Sequence, residues 1–136
     1  MQRMFAGIVL MLAAGAVHAA VPVDAVEAVK AADTWLAMVD SGHYAESWKQ
    51  TAPMLQVAES ESAWEQGLQA VRTPLGKVVS RIVVDTQYTT TMPGAPDGQY
   101  WAILEQASFE HKAQAAETVI LMRVGNDWKV AGYHIR

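Results

Sequence analysis

Apolar residues recur at helical spacing in the first half of the chain and alternate in the second. Val29, Ala32, Leu36 and Val39 fall on one face, so the pattern predicts a helix over Val26–Asp40. Asp24 is placed to cap its start through a carboxylate. Gly42 suits the left-handed residue that ends a helix, because it has no side-chain carbon to clash. Tyr44 and Trp48, four apart, start a second helix over Tyr44–Thr51, which Pro53 should end. Met54, Leu55 and Val57 form an apolar patch without a clear period. A third helix opens at Ser60 or Ser62, where Ser62 and Glu65 have capping-box spacing. Trp64, Leu68 and Val71 make its stripe, and Thr73-Pro74 with Gly76 closes it.

From Lys77 to Tyr88 the period changes to two, with Ile82, Val84, Thr86 and Tyr88 on one face of a strand. The Pro- and Gly-dense stretch Met92–Gly98 reads as a loop. Tyr100–Phe109, Thr118–Val124 and Trp128–Ile135 are three further strands, the last two joined by a tight turn at Gly125-Asn126-Asp127. The expected fold is therefore α+β, three N-terminal helices packed on a four-stranded antiparallel sheet. Ile120, Met122 and Val124 are expected inside with Trp128, Val130, Gly132 and His134, leaving Arg123, Lys129 and Tyr133 on the solvated face. Leu36, Trp48, Trp64, Leu68, Ile82, Val84, Ile120 and Trp128 make up the expected core. Tyr100–Phe109 is apolar on both sides, so it is either covered twice or offers its outer side to a homodimer.

The first twenty residues stand apart from this pattern. Arg3 precedes the uncharged apolar run Met4–Val17, and Val17-His18-Ala19 places small residues where a signal peptidase reads, with cleavage after Ala19 or Ala20. The run is too short to span ~30 Å of hydrocarbon comfortably. Residues 1–20 are thus expected to be a cleaved signal peptide and 21–136 a single α+β domain, periplasmic or secreted, with no membrane insertion after cleavage. There is no Cys, which excludes a lipidated N-terminal cysteine, a disulfide framework and thiolate metal sites. Setting aside Arg3 leaves nine Lys and Arg against 14 Asp and Glu, a net charge of −5. That sign argues against nucleic acid or an anionic membrane surface as partner.

WLAMVDSGHYAESW, SAWEQGLQAVRTPLGKVVSR, QYTTTMPGAPDGQYW and WKVAGYHIR together resemble the bacterial domain of unknown function 4019 family, over nearly all of the chain after residue 20. That family supplies no reaction. More distantly, a helix ending in VDSGHYAESW and a closing WKVAGY strand are similar to the nuclear transport factor 2-like superfamily. The resemblance implies a cone, also described as cystatin-like, in which a curved sheet wraps a long helix around an apolar pocket.

Residues able to do chemistry are few. His43 lies beside Asp40, but a turn histidine ordinarily only satisfies helix carbonyls. His134, expected inside, has a simpler reading as a neutral core histidine. His111 falls in the connection Glu110–Ala116 and is expected to be solvated; the scattered histidines lack metal-ligand spacing. Glu105 interrupts the apolar run WAILEQASF, and if buried it must find a cation or keep a proton. No nucleophile elbow, phosphate loop or dinucleotide fingerprint occurs, so no cofactor is implied. The pocket is expected where the second and fourth strands end, with His134 in its lining and Tyr88 and Glu105 as neighbours. Three readings follow. The first is a non-catalytic module binding a small apolar ligand or a protein segment. The second is an enzyme of proton transfer or hydrolysis using Glu105 or His134, and the third a homodimer formed through the sheet. The first leads, because no activating partner for either residue can be named.

Overall fold

A computed structural model describes residues 21–136; the signal-peptide reading of 1–20 lies outside the described residues. A 3-10 turn, Val23–Ala25, leads into helix α1, Val26–Asp40, followed by α2, Tyr44–Lys49, α3, Pro53–Ala58, and α4, Glu61–Arg72. A second 3-10 turn, Thr73–Leu75, hands the chain to four strands: β1, Val78–Thr89; β2, Tyr100–Phe109; β3, Lys112–Val124; and β4, Asp127–Ile135. They form one antiparallel sheet in the order β1-β2-β3-β4. The α+β class and the antiparallel four-stranded sheet agree with expectation, but the helices number four among the described residues rather than three. The extra one is α3, where Pro53 occupies the first turn. Proline stops a preceding helix, yet its fixed φ and missing N–H suit the start of another, and here it does both.

The first helix ends as its sequence requires. Gly42 has φ +77°, its N–H bonds Val39 O, and the His43 N–H reaches back to Met38 O, the paired bonds that close an α-helix on a left-handed residue. Its start differs, because the Asp24 side chain makes no cap and the 3-10 turn intervenes. Helix α4 is capped by Ser60, whose hydroxyl accepts from Ala63 N at 3.2 Å, so Ser62 lies inside the helix. The hairpin glycine Gly125 also sits at positive φ, +62°. Strand β3 begins at Lys112, so most of the stretch expected as a connection pairs with β2.

Helix α1 packs across β2, β3 and β4, burying Ala28, Ala32, Trp35, Leu36 and Val39 against Trp101, Ile103, Val119, Leu121 and Val130. The three helix-side tryptophans are satisfied locally. Trp35 Nε1 donates to Ser47 O at 2.9 Å, Trp64 Nε1 to Ser47 Oγ at 3.1 Å, and Trp48 Nε1 to Glu59 O at 2.8 Å. Buried indole N–H groups need such partners, which fixes α2 and α4 against α1.

The inner face of the sheet is not the expected one. In β3 it is Ala115, Glu117, Val119 and Leu121 that are buried, while Ile120 and Met122 face outward. In β3 the cause is the hairpin, whose turn is only Gly125-Asn126, so that Val124 lies opposite Asp127 and Arg123, not Val124, shares a face with Trp128. Two bulges account for the rest. The β3–β4 register slips between Ile120 and Leu121, leaving Ala131 as an extra residue on β4. Trp128 and Val130 therefore point inward as expected, but Tyr133 replaces His134 beyond the bulge. A second slip between Val83 and Asp85 makes Val84 the extra residue of β1. Arg81 and Val83 face in below it, and Thr86 and Tyr88 above it. Ile82 and Val84 are thus solvent-exposed, at 49% and 43%, and leave the core list with Ile120. Trp48 and Trp128 are half-buried against the core, whereas Leu36, Trp64 and Leu68 belong to it.

Candidate functional site: a buried ionic network and two flanking clefts

Every strand contributes one polar side chain to the inner face of the sheet near the C-terminal end of α1. Arg81 comes from β1, Glu105 from β2, Glu117 from β3 and Tyr133 from β4, and α1 adds Asp33 and Asp40, seven apart on one helix face. Arg72, the last residue of α4, completes the set. Arg81 is the bridge. Its Nη1 and Nη2 bond the two oxygens of Asp40 at 2.8 and 3.0 Å, while its Nε donates to Glu117 Oε1 at 2.7 Å. Arg72 Nη2 donates to Asp40 Oδ1 at 2.8 Å, and the Tyr133 hydroxyl donates to Glu117 Oε2. The Arg72 guanidinium also lies 4.8 Å from the centre of the Phe109 ring, joining the network to a small apolar cluster of Ala107, Phe109 and Ala115.

The electrostatics follow from burial and partners. Burial alone would raise the Asp40 pKa, but hydrogen bonds from Arg81 and Arg72 override it and hold the carboxyl below its usual range. Burial likewise works to lower Arg81, and its bonds to Asp40 and Glu117 drive it above the ordinary arginine value. The Tyr133 hydroxyl is raised by burial and by the neighbouring Glu117.

Glu105 is the group left over. It is 3% exposed, its Oε2 has no hydrogen-bond partner, and two arginines are already matched by Asp40 and Glu117. Burial, reinforced by Asp33 and opposed by Arg81, pushes its pKa up to about 7. Protonated Glu105 can donate to Asp33, at the solvent edge of the network; desolvation raises Asp33 too, against the pull of Arg81 and this bond. The arrangement can hold one proton between two carboxyls near neutral pH. Arg72 Nε and Nη1 are also buried without partners.

Of the residues expected to line a pocket, Glu105 alone enters this network. Tyr88 shares its face but sits beyond the Val84 bulge, half-exposed, with its ring 5.3 Å from that of Trp101. His134 faces outward, opposite Thr118, and is exposed. Tyr133, Arg81 and Glu117 were missed. Arg81 did interrupt an apolar strand as Glu105 does, but the Val84 bulge hid its face; Glu117 fell just outside the expected third strand, whereas β3 begins at Lys112.

Two clefts flank the network. The smaller, about 310 Å³, lies between α4 and the end of β4; its walls include Trp64, Leu68, Val71 and Ile135, with Glu59 at its rim and His134 bordering it from the outer face. The larger, about 590 Å³, lies between α1 and the β3–β4 hairpin. Neither includes Glu105. Among the described residues no group of His, Cys, Asp and Glu could hold a metal ion, and no helix is long and apolar enough to cross a membrane.

Compared with curated proteins, the chain has no match. The sequence profile of the family described as "Protein of unknown function (DUF4019)" matches residues 31–133, from within α1 to Tyr133 of β4 and so the whole of the network and most of its scaffold, and the chain belongs to that family.

Proposed function

We propose that the protein is an exported, non-catalytic binding module that holds a small apolar ligand, or one side chain of a partner protein, between α4 and the end of β4. The observation that carries this reading is Gly67. It lies in the middle of α4, where glycine costs about 1 kcal/mol relative to alanine, yet a side chain there would meet only a Glu59 carboxyl oxygen, at 4.0 Å. The space it leaves belongs to the apolar cleft beside Trp64, Leu68 and Ile135. Its volume is at the small end for ligand pockets, and Glu59 at the rim can orient an occupant. In this reading Glu105 and Tyr88 support the site through the sheet rather than touching the ligand. The packing of α1 over β2, β3 and β4 is in keeping with a cone of the nuclear transport factor 2-like kind. Proton transfer by Glu105 is the weaker alternative, since neither flanking cleft reaches it.

Gly67→Leu tests the reading, because it fills the cleft while favouring the helix. Native mass spectrometry of protein purified from exporting cells should show an added ligand mass that this variant loses. A bare chain mass in the parent, or an adduct kept at full occupancy in Gly67→Leu, would remove the cleft from the function.

The outer sheet face favours a second reading. Ile82 and Val84 are exposed there, with Leu104, Ile120 and Met122 partly so. A homodimer through this face would cover them, and the same spectra report its mass.

A further inference from the structure

The larger cleft has a different chemistry. Trp35, Met38 and Val130 are among its apolar lining, and Trp128 stands half-buried at its side. The cations Lys30 and Arg123 meet the carboxylates Glu27 and Asp127 along it, while Lys129, opposite the outward Met122, borders it from the outer side of the sheet. Of the two facing cations, Arg123 is uncommitted. Lys30 pairs with Glu27 at 3.8 Å in open solvent, a contact of little strength. Among the described residues neither Arg123 nor Lys129 has a carboxylate within 4.0 Å, the other ion pairs being those of Arg72 and Arg81.

Arg123 is also pre-oriented. Its guanidinium lies 5.4 Å from the centre of the Trp128 ring, and its Nε donates to Gly125 O at 3.1 Å. Those two contacts fix the plane of the fork and leave both terminal nitrogens free. A planar fork held in this way matches a carboxylate, which can take two parallel N–H bonds. The ordering cost that usually weakens a surface arginine contact has been met before any ligand arrives.

We propose that this cleft is a second binding site, for a small organic carboxylate with an aromatic or apolar body. The carboxylate takes the terminal nitrogens of Arg123, and the body lies against Trp128 and Met38. The site is independent of the α4–β4 cleft, so either can fail alone.

Isothermal titration calorimetry with 2-naphthoate and with the neutral 2-naphthamide separates head from body. The carboxylate should bind about tenfold more tightly, the difference expected for one charge-assisted contact. That preference should shrink at high salt and vanish in Arg123→Gln, whose urea midpoint should match the parent because Arg123 is exposed. NMR shifts on adding 2-naphthoate should fall on the Trp128 indole and the α1 residues Lys30–Met38. Equal affinity for the two probes, no binding at millimolar concentration, or shifts confined to α4 and the end of β4 would each overturn the assignment.

Discussion

Glu105 keeps its proton to about pH 7 in the folded protein, whereas an unperturbed glutamate ionises near 4.5. Between those two values the fold binds more protons than the unfolded chain, so stability falls as pH rises through that window. Fully developed above pH 7, the loss is on the order of 3 kcal/mol. Asp40 works the other way: its depressed pKa contributes stability above about pH 4 that is lost on further acidification. Stability should therefore be greatest on the mildly acidic side of neutral. Glu105→Gln keeps the shape without the charge, and in urea titrations it should be more stable than the parent at pH 8 and nearly equal at pH 4.5. A variant that kept the parent's slope between pH 4.5 and 7 would show that another group carries it. Arg81 sets the opposite case. Arg81→Ala leaves Asp40 with Arg72 alone and Glu117 with no cation, only the Tyr133 hydroxyl, and should cost roughly 3–5 kcal/mol. Arg81→Lys should recover only part of that, since one ammonium cannot span both carboxylates. Equal stability of the lysine variant and the parent would mean that charge alone, not the fork, holds the network.

At the scale of elements, the helix stop at Gly42 and the limits of β2 were legible because each rests on local chemistry: a left-handed glycine, or an apolar run bounded by turn residues. The bulges were not. One extra residue inverts every side chain beyond it; nothing at Val84 announces the insertion, and at Ala131 the one sign is the neighbouring strand glycine, Gly132. The same inversion hid the site. Glu105 stood out because it breaks an apolar strand, but Arg81 is bonded to groups 41 and 36 residues away, beyond the reach of any periodic pattern. The face assignment can be checked with two truncations. Leu121→Ala, inside, should cost about 2–5 kcal/mol. Ile82→Ala, outside, should cost less than about 1 kcal/mol. Comparable losses in chemical denaturation would return Ile82 to the core.

For the molecule as a whole, the outer sheet face decides between monomer and dimer. If it is covered by a second copy, Val84→Lys should halve the mass seen in native spectra and leave the urea midpoint of the monomer little changed. If the parent is already monomeric at micromolar concentration, the exposed valine and isoleucine are ordinary surface apolar residues and the face has no partner of its own kind.

The strand order β1-β2-β3-β4 has a consequence for how the chain finds its structure. Each strand pairs only with its neighbour in sequence, so every step of sheet assembly closes a short loop, and the entropic barrier to each is small. With no cysteine in the sequence, no oxidation step follows. Refolding from urea should accordingly be fast for a sheet protein and indifferent to the redox buffer. The late event should be the seating of α1, because Asp40 can meet Arg81 and Arg72 only once both the first strand and the last turn of α4 are in place.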